Sequence, residues 1–389
     1  MIIEPPDRKE FSDRIEKLYK SLNAEGKAWD GAFVFDKVNG YYLTGTFQNG
    51  IFVLKKDGSF GYFVMQSYER ARLESPLEEV YPMSSFKSMV PFFGSKLTDV
   101  YMDTDVVPLV QVERARKYLE FKQIHSLSKA ILKLRAVKSP YELSCIYEAG
   151  RMHKELLEEI VPGILREGMS EAEFAGEVYL SQLRQGHHGV ARFSMFQTEF
   201  IMGQLGFGDN ALYPCYFDGP GGTKGNSPAV PVMGESSRRL SRGDLVFLDV
   251  ASGYNGYHTD RTQVYMFGDK PSQELAEKHD SCLKLQREIA SKLVPGAVPS
   301  EIYREITESG FMNRKVKFLG HGVGLYIDEY PVLAKGFDEP LEENMLIAVE
   351  PKIEIEGVGI VGGEDSYLVS KGGGRLVTGG EKEIITVMN

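Results

Sequence analysis

The sequence predicts a two-domain protein of the α+β class, with a smaller α/β domain at residues 1–128 and a larger domain at 129–389. Three observations support this prediction. A chain of 389 residues is long for one small domain. Short β-rich runs separated by Asn-Gly and Asp-Gly turns dominate the first third. Beyond it, capped amphipathic helices are followed by apolar strands that end in acidic residues.

The composition is that of an ordinary soluble protein, with 42% hydrophobic and 26% charged residues. No apolar run approaches the roughly 20 residues that a membrane-spanning helix needs, and the N-terminus does not resemble a signal peptide, so we expect a cytoplasmic protein with no membrane partner. The net charge of −10, without a Lys/Arg cluster, argues against nucleic acid as a partner. The odd number of cysteines (Cys145, Cys215 and Cys282) lacks CxxC spacing, and we expect buried thiols.

The first domain opens with a predicted helix, because apolar residues recur at helical spacing between Asp7 and Asn23. The runs GAFVFD, YYLTGTF and IFVLKKDGSFGYFVM then predict strands and turns. Together these elements indicate a small α/β unit.

Two helices are expected at the start of the second domain. Ser139 precedes Pro140, which suits the first position of a helix, and Ser139 can therefore serve as the N-cap. Ser170 followed by Glu173 predicts a capping box for a second helix. A Gly- and Pro-rich stretch at 206–234 has no period and indicates a long ordered loop or a pocket wall.

Two aspartates lie on neighbouring predicted strands. Asp249 ends the apolar run LVFLDV, and Asp260 follows eleven residues later, across a Gly/Asn turn. Aspartates beside turns are commonly solvated or capping residues. The apolar flanks of Asp249 weigh against that alternative, since a buried charge requires a partner or a cation.

Other strands repeat the pattern. Glu350 ends the run MLIAV, Glu364 precedes the run DSYLV, and His321 lies between glycines in GHGVG. Charged residues are rarely buried without a partner, so acidic residues in separate apolar strands suggest a shared cation. Carboxylates with one imidazole suit Mn²⁺, Co²⁺, Fe²⁺ or Zn²⁺, and the negative charge is sufficient for two divalent ions. Alone, His321 would more simply be a hydrogen-bonded core histidine.

In this order, the five residues and their motifs resemble the superfamily of creatinase, aminopeptidase P, prolidase and methionine aminopeptidase. The eleven-residue Asp–Asp spacing, GHGVG, the Glu-Pro pair in VEPKI, and GGED each match, as does LRAVKSPYEL. The run NGYYLTGTFQNGIFVL is similar to the creatinase-type N-terminal domain. The resemblance implies that this domain precedes a catalytic domain of the pita-bread fold.

By that resemblance, a dinuclear metal centre activates water to cleave an amide bond. Asp249 would chelate the first metal ion, whereas Asp260 and Glu364 would bridge both ions. His321 and Glu350 would complete the ligand shell, and Glu350 would also act as the acid/base for the bridging water. Relatives are usually homodimers.

Two histidines that the peptidases usually carry are missing. Asp328 stands seven residues after His321, where relatives have an imidazole, and Val232 lies near the place of the other. We expect Asp328 to contact a cationic or NH-bearing part of the substrate. The alternative is that Asp328 only caps a turn before Pro331.

Other histidines are candidates to supply an imidazole. His258 lies two residues before Asp260, and strand parity predicts that the two side chains share a face. We predict a catalytic or substrate-binding role for His258, with a structural role as the alternative. For the pair His187 and His188 we expect a solvent-exposed turn.

The leading functional hypothesis is a metallohydrolase of the Xaa-Pro aminopeptidase or dipeptidase type, acting on a short peptide or small amide. One alternative is a creatinase-like or lyase-type enzyme that acts on a small non-peptide. The other is a metal-binding relative without catalysis.

Overall fold

A computed structural model describes residues 3–94, 96–195, 198, 201–216, 219–309, 316–380 and 383–388. The chain divides into two compact units, one ending at Arg135 and the other beginning at Ala136. The division that the sequence suggested, between residues 128 and 129, lies at the start of the helix Ser128–Ala136.

The N-terminal unit combines helices with one mixed sheet. Its helices are α1 (Arg8–Ala24), α2 (Lys37–Thr44), α3 (Tyr68–Glu74), α4 (Val90–Phe93, after a 3-10 turn at Phe86–Met89), α5 (Leu109–Arg116) and α6 (Ser128–Ala136). Its strands are β1 (Gly31–Val34), β2 (Gly50–Lys55), β3 (Phe60–Val64), β4 (Val80–Pro82), β5 (Asp99–Met102) and β6 (Gln123–Ser126). In the described residues they form a sheet of order β4-β3-β2-β1-β5-β6.

Helix α1 and the Asp-Gly turn occur in this unit as predicted. The strand prediction for the run YYLTGTF is wrong, because its first four residues and the Asn39-Gly40 pair belong to helix α2, which Asp36 caps. Asp7 caps α1 by accepting a hydrogen bond from the Glu10 backbone N–H. Strands β2 and β3 pair in antiparallel fashion across the turn that contains Asp57 and Gly58. Buried side chains such as Phe33 and Val53 form the core between the sheet and its helices.

The second unit begins with helices and continues with antiparallel strands. Its helices are α7 (Pro140–Glu155, followed by a π-helical turn at Leu156–Ile160), α8 (Val161–Ile164), α9 (Glu171–Gln185), α10 (Gln273–Ser291) and α11 (Pro299–Glu308). Its strands are β7 (Gly203–Phe207), β8 (Leu245–Tyr254), β9 (Tyr257–Phe267), β10 (Gly320–Gly322), β11 (Glu329–Val332), β12 (Leu346–Val349), β13 (Lys352–Ile355), β14 (Gly359–Gly362), β15 (Asp365–Leu368), β16 (Arg375–Leu376) and β17 (Ile385–Val387). A 3-10 turn at Gly208–Leu212 follows β7.

Both predicted helix starts in this unit are confirmed. Ser139 caps α7 and forms a capping box with Glu142, and Pro140 occupies the first turn. Ser170 forms the same motif with Glu173 at the start of α9. Each box pairs backbone N–H groups that the first helical turn would otherwise leave without partners.

Antiparallel pairing dominates the sheets of the second unit. One sheet has the order β17-β9-β8-β7, with β17 parallel to β9, and another has the order β11-β10-β12-β15-β16. Strands β13 and β14 form a separate hairpin. A single bridge between Thr262 and Glu364 connects β9 to the segment that enters β15. The first two sheets therefore meet where the acidic residues lie.

Helices cover the outer faces of these sheets. Side chains of α9, including Phe174 and Val178, belong to one core with Leu248 of β8. Side chains of α10 and α11, including Ile289 and Ile302, share a second core with strands β12 and β15. The predicted α+β fold class is confirmed.

The structure bears on two further expectations, the burial of the cysteines and the lack of a membrane-spanning helix. The thiols of Cys145 and Cys282 are buried and form no disulfide, as predicted, whereas Cys215 is partly exposed. Among the described residues, no helix is both long and apolar enough to span a membrane.

Candidate active site

The hairpin of β8 and β9 brings the two aspartates together. Asp249 pairs with Thr262, and Ala251 pairs with Asp260, so the aspartates lie on adjacent strands two register positions apart. With Glu364 they form a group whose carboxylate oxygens lie within 4.8 Å of one another. The predicted hairpin is therefore present, and it places Asp249 and Asp260 close enough to share one cation.

The other three residues converge through a second sheet. Strand β12 lies between β10 and β15, with Val349 paired to both Gly320 and Asp365. His321, Glu350 and Glu364 each lie one residue from this row of paired positions. His321 lies two register positions from Glu350 and Glu364, so these residues, which are distant in sequence, meet on one face of the sheet.

Gly320 allows the close strand contact beside His321. A Cβ atom at Gly320 would lie 2.1 Å from the carbonyl oxygen of Ala348. No other residue type fits without moving the strands apart, so the glycines around the histidine serve strand approach.

The spacing between the imidazole and two glutamates suits a cation. His321 Nε2 lies 3.4 Å from Glu350 Oε1 and 3.8 Å from Glu364 Oε1, which exceeds the usual length of an N–H···O hydrogen bond. Glu364 Oε1 is buried, and no described residue donates a hydrogen bond to it. His321 Nδ1 lies 3.1 Å from the carbonyl oxygen of Gly322. That contact orients the ring so that Nε2 faces the carboxylates.

Lys352 is the site residue that sequence reasoning missed. Its Nζ lies 2.9 Å from Asp249 Oδ2, 3.0 Å from Glu350 Oε2 and 2.8 Å from Glu364 Oε2. The side chain is only 1% exposed. The signal was present in VEPKIEI, since strand alternation places the side chain two residues after Glu350 on the same face.

The electrostatics show an excess of buried negative charge. Burial raises the pKa of Asp249 to about 6, although Lys352 lowers it. Burial, together with Glu364 and Asp249, raises the pKa of Asp260 well above its usual range. Burial alone would lower the pKa of Lys352, but the three carboxylates outweigh that effect and keep the amine protonated.

Asp328 lies beside the imidazole at the opening of the cleft. Its Oδ1 is 3.3 Å from His321 Nδ1, and its side chain is 37% exposed. Burial raises the pKa of this carboxyl group, whereas His321 lowers it. The structure therefore brings Asp328 to the cluster, as the seven-residue spacing suggested.

His258 lies outside the cleft wall. Its Nδ1 is 3.0 Å from the Gly324 carbonyl oxygen, and its Nε2 accepts a hydrogen bond from the Arg192 backbone N–H at 3.3 Å. Burial lowers the pKa of His258 to about 4. Both ring nitrogens thus contact the backbone of neighbouring segments.

The expectation that His187 and His188 form an exposed turn is wrong. His187 is buried and accepts a hydrogen bond from the Gly253 backbone N–H, and His188 is half-buried with its Nε2 3.2 Å from His258 Nε2. The two rings stack with centroids 4.9 Å apart. Packing against the β8–β9 hairpin, which the local sequence does not reveal, buries His187 and partly shields His188 from solvent.

The cluster forms the floor of a narrow cleft that opens to solvent. Its described lining is Phe193, Gln204, Gly219, Asp249, Ala251, Asp260, Phe318, His321, Ile327, Asp328, Glu350 and Glu364. Gly219 comes from the Gly- and Pro-rich stretch, which therefore contributes to the wall as predicted. Phe217 and Asp218 of that stretch lie outside the described residues. Val232 is buried and is not among the described lining residues.

Comparison with known proteins identifies the family. Residues 144–371, more than half of the chain, match the sequence model of metallopeptidase family M24. The chain belongs to metallopeptidase family M24. Residues 14–137 match the creatinase/prolidase N-terminal domain. The sequence prediction of a creatinase-type domain followed by a catalytic domain of this family is confirmed.

Relatives of this M24 chain match it over almost its full length. The Xaa-Pro dipeptidase of Pyrococcus furiosus is 28% identical over 382 residues, covering 96% of this chain and all of the relative. The solved prolidase of Pyrococcus horikoshii has a TM-score of 0.78 at 23% identity, covering 96% of this chain and 100% of that chain. The solved Xaa-Pro dipeptidase of Bacillus anthracis has a TM-score of 0.78 at 23% identity, and the match covers 97% of this chain and 99% of that chain. The predicted pita-bread architecture and a metallopeptidase-type hydrolase are thus confirmed.

Proposed function

We propose that this protein is a metal-dependent hydrolase that cleaves the amide bond of Xaa-Pro dipeptides. The observation that carries the proposal is the convergence of four carboxylates and one imidazole on the floor of a small cleft. Relatives named Xaa-Pro dipeptidase, aligned over 95% or more of this chain, support the substrate class.

The proposed metal ligands are Asp249, Asp260, His321, Glu350 and Glu364. The geometry supports a divalent ion because Glu364 Oε1 is buried, receives no hydrogen bond from the part of the chain that the structure describes, and lies 3.8 Å from His321 Nε2. An oxygen-rich set with one nitrogen suits Mn²⁺, Co²⁺, Zn²⁺ or Fe²⁺. An ion bound there would supply Lewis acidity toward a water and toward the scissile carbonyl.

Glu350 is the proposed general base and acid. Its Oε2 accepts a hydrogen bond from Lys352, whereas its Oε1 faces His321 on the cleft side. Oε1 is therefore the oxygen that would contact a bound ion, and beside that ion the same oxygen could take a proton from the attacking water and return it to the leaving nitrogen.

Asp328 is the proposed contact for the substrate's charged end. Its partly exposed carboxylate lies at the cleft opening beside His321, and an ionised carboxylate suits the α-ammonium group of a dipeptide. His258 is not positioned to touch substrate, and we propose that it instead positions the segments at Arg192 and Gly324. Phe193 and Phe318 supply apolar surface to the cleft.

A substrate panel tests the proposal. The purified protein is stripped with a chelator, reloaded with Mn²⁺, and incubated with Xaa-Pro dipeptides, Met-peptides, creatine and cyclic amides. We expect cleavage of Xaa-Pro dipeptides that is lost with the chelator and restored by the ion. Turnover of creatine or a cyclic amide, with no hydrolysis of any peptide, would contradict the proposal.

A small non-peptide substrate is the second candidate. The specific observation in its favour is Asp328, since a carboxylate stands in the cleft where the resemblance led us to expect an imidazole. A carboxylate would repel a tetrahedral oxyanion but would bind a guanidinium or ammonium group. The creatine arm of the panel distinguishes this candidate from the first.

The domain bounds, the oligomeric state and the cellular location also belong to the proposal. We place the catalytic domain at residues 129–389 and expect a homodimer in the cytoplasm. Light scattering coupled to size exclusion checks the dimer.

A further inference from the structure

We infer that the Lys352 ammonium takes the place of a second divalent ion, so that the centre binds a single metal ion on its His321 side. This inference rests on the proposed function only in that the cluster binds metal. It departs from the two ions that the sequence resemblance implied.

The ammonium has the contacts that a metal ion would otherwise make. Asp249, Glu350 and Glu364 each turn one oxygen toward Lys352 Nζ, at 2.9, 3.0 and 2.8 Å. A protonated amine has three donors and no acceptor, so these oxygens satisfy it completely. A divalent ion bound by the same oxygens would lie against a like charge.

The lysine has little freedom to move aside. Its residue begins β13 and pairs with Gly362 of β14, where a Cβ atom would lie 2.8 Å from Lys352 Cα. Its Nζ lies 5.9 Å from the ring centroid of Phe247, and the side chain is 1% exposed. Withdrawing the ammonium would leave either it or the carboxylates buried without a partner, which is costly.

The remaining atoms make one complete donor set. Glu350 Oε1 and Glu364 Oε1 face away from the lysine, toward His321 Nε2, at 3.4 and 3.8 Å. Asp260 belongs to the metal-capable groups on both sides of the cluster. One imidazole nitrogen with carboxylate oxygens suffices for one ion whose open position takes water or substrate.

Metal stoichiometry tests the inference without reference to catalysis. Full-length protein is stripped, equilibrated with excess Mn²⁺, desalted, and analysed for Mn²⁺ per chain. We expect about one ion per chain and the electron paramagnetic resonance pattern of an isolated Mn²⁺ ion. Two ions about 3.5–4 Å apart would instead give an exchange-coupled spectrum.

Variants at the lysine sharpen the test. Lys352→Gly removes the ammonium and is expected to raise the content to about two coupled ions per chain. Lys352→Arg keeps the positive charge and should stay at about one. Lys138→Met is a matched control, because Lys138 is also buried and its Nζ lies 3.5 Å from a carboxylate outside the proposed ligand set, that of Glu329. If Lys352→Gly does not fold, the Mn²⁺ content of the wild-type protein and of Lys352→Arg still shows whether the centre binds one ion or two.

The outcomes separate this inference from the proposed function. Two coupled ions in the wild-type protein would overturn the inference and leave the hydrolase proposal standing. One ion without hydrolysis of any panel substrate would support the inference and overturn the function. No bound ion would overturn both.

Discussion

Replacing Glu350 with glutamine is expected to lower kcat for Xaa-Pro dipeptides by about 10²–10⁴-fold, the usual contribution of a positioned acid/base. The amide keeps the shape of the side chain and can still accept a hydrogen bond from Lys352. It cannot take a proton from water. Steady-state kinetics on protein with verified Mn²⁺ content measures the effect.

Glu356→Gln is the control for this variant. Glu356 is exposed in the turn after β13. Its replacement by glutamine removes the same charge at a position outside the acidic cluster. Its kcat should stay at the wild-type value. Full turnover by Glu350→Gln, with metal content unchanged, would show that another group carries the proton.

Replacing His321 with alanine is expected to weaken Mn²⁺ binding by more than about 100-fold, since even residues that only orient a ligand contribute about 10–100-fold. The variant removes the sole nitrogen of the donor set and leaves the carboxylates paired with Lys352. Isothermal titration calorimetry on stripped protein measures the affinity.

His125→Ala provides the comparison for His321→Ala. His125 lies on β6 of the N-terminal unit and pairs with Asp99 at 3.4 Å. Its loss should leave Mn²⁺ affinity unchanged. Equal affinity in wild-type protein and His321→Ala would remove His321 from the proposed ligand set.

The clustering of the acidic residues was predictable because each lies within or directly beside a strand rich in apolar residues. Asp249 in LVFLDV and Glu350 after MLIAV are positions where burial of a charge demands compensation. The hairpin followed from the Gly/Asn turn between β8 and β9. Local pattern and cost of burial were sufficient there.

Lys352 was not predicted because its partners are distant in sequence. A single lysine at the start of a strand is usually exposed, and only the convergence of β8, β13 and the segment before β15 encloses it. The same limit explains His258, whose strand parity with Asp260 was correct but whose ring contacts the backbone at Gly324. The alternation of side chains along a strand predicts on which face of the sheet a residue lies. It does not predict which other segment packs against that face.

Anomalous diffraction from crystals soaked in Mn²⁺ tests the central claim, that this cluster is the metal centre. We expect a peak about 2.0–2.2 Å from His321 Nε2 and from the carboxylate oxygens of Glu350 and Glu364. Lys352 Nζ should remain on Asp249. Absence of any peak between these side chains, in crystals whose protein retains bound Mn²⁺, would contradict the account.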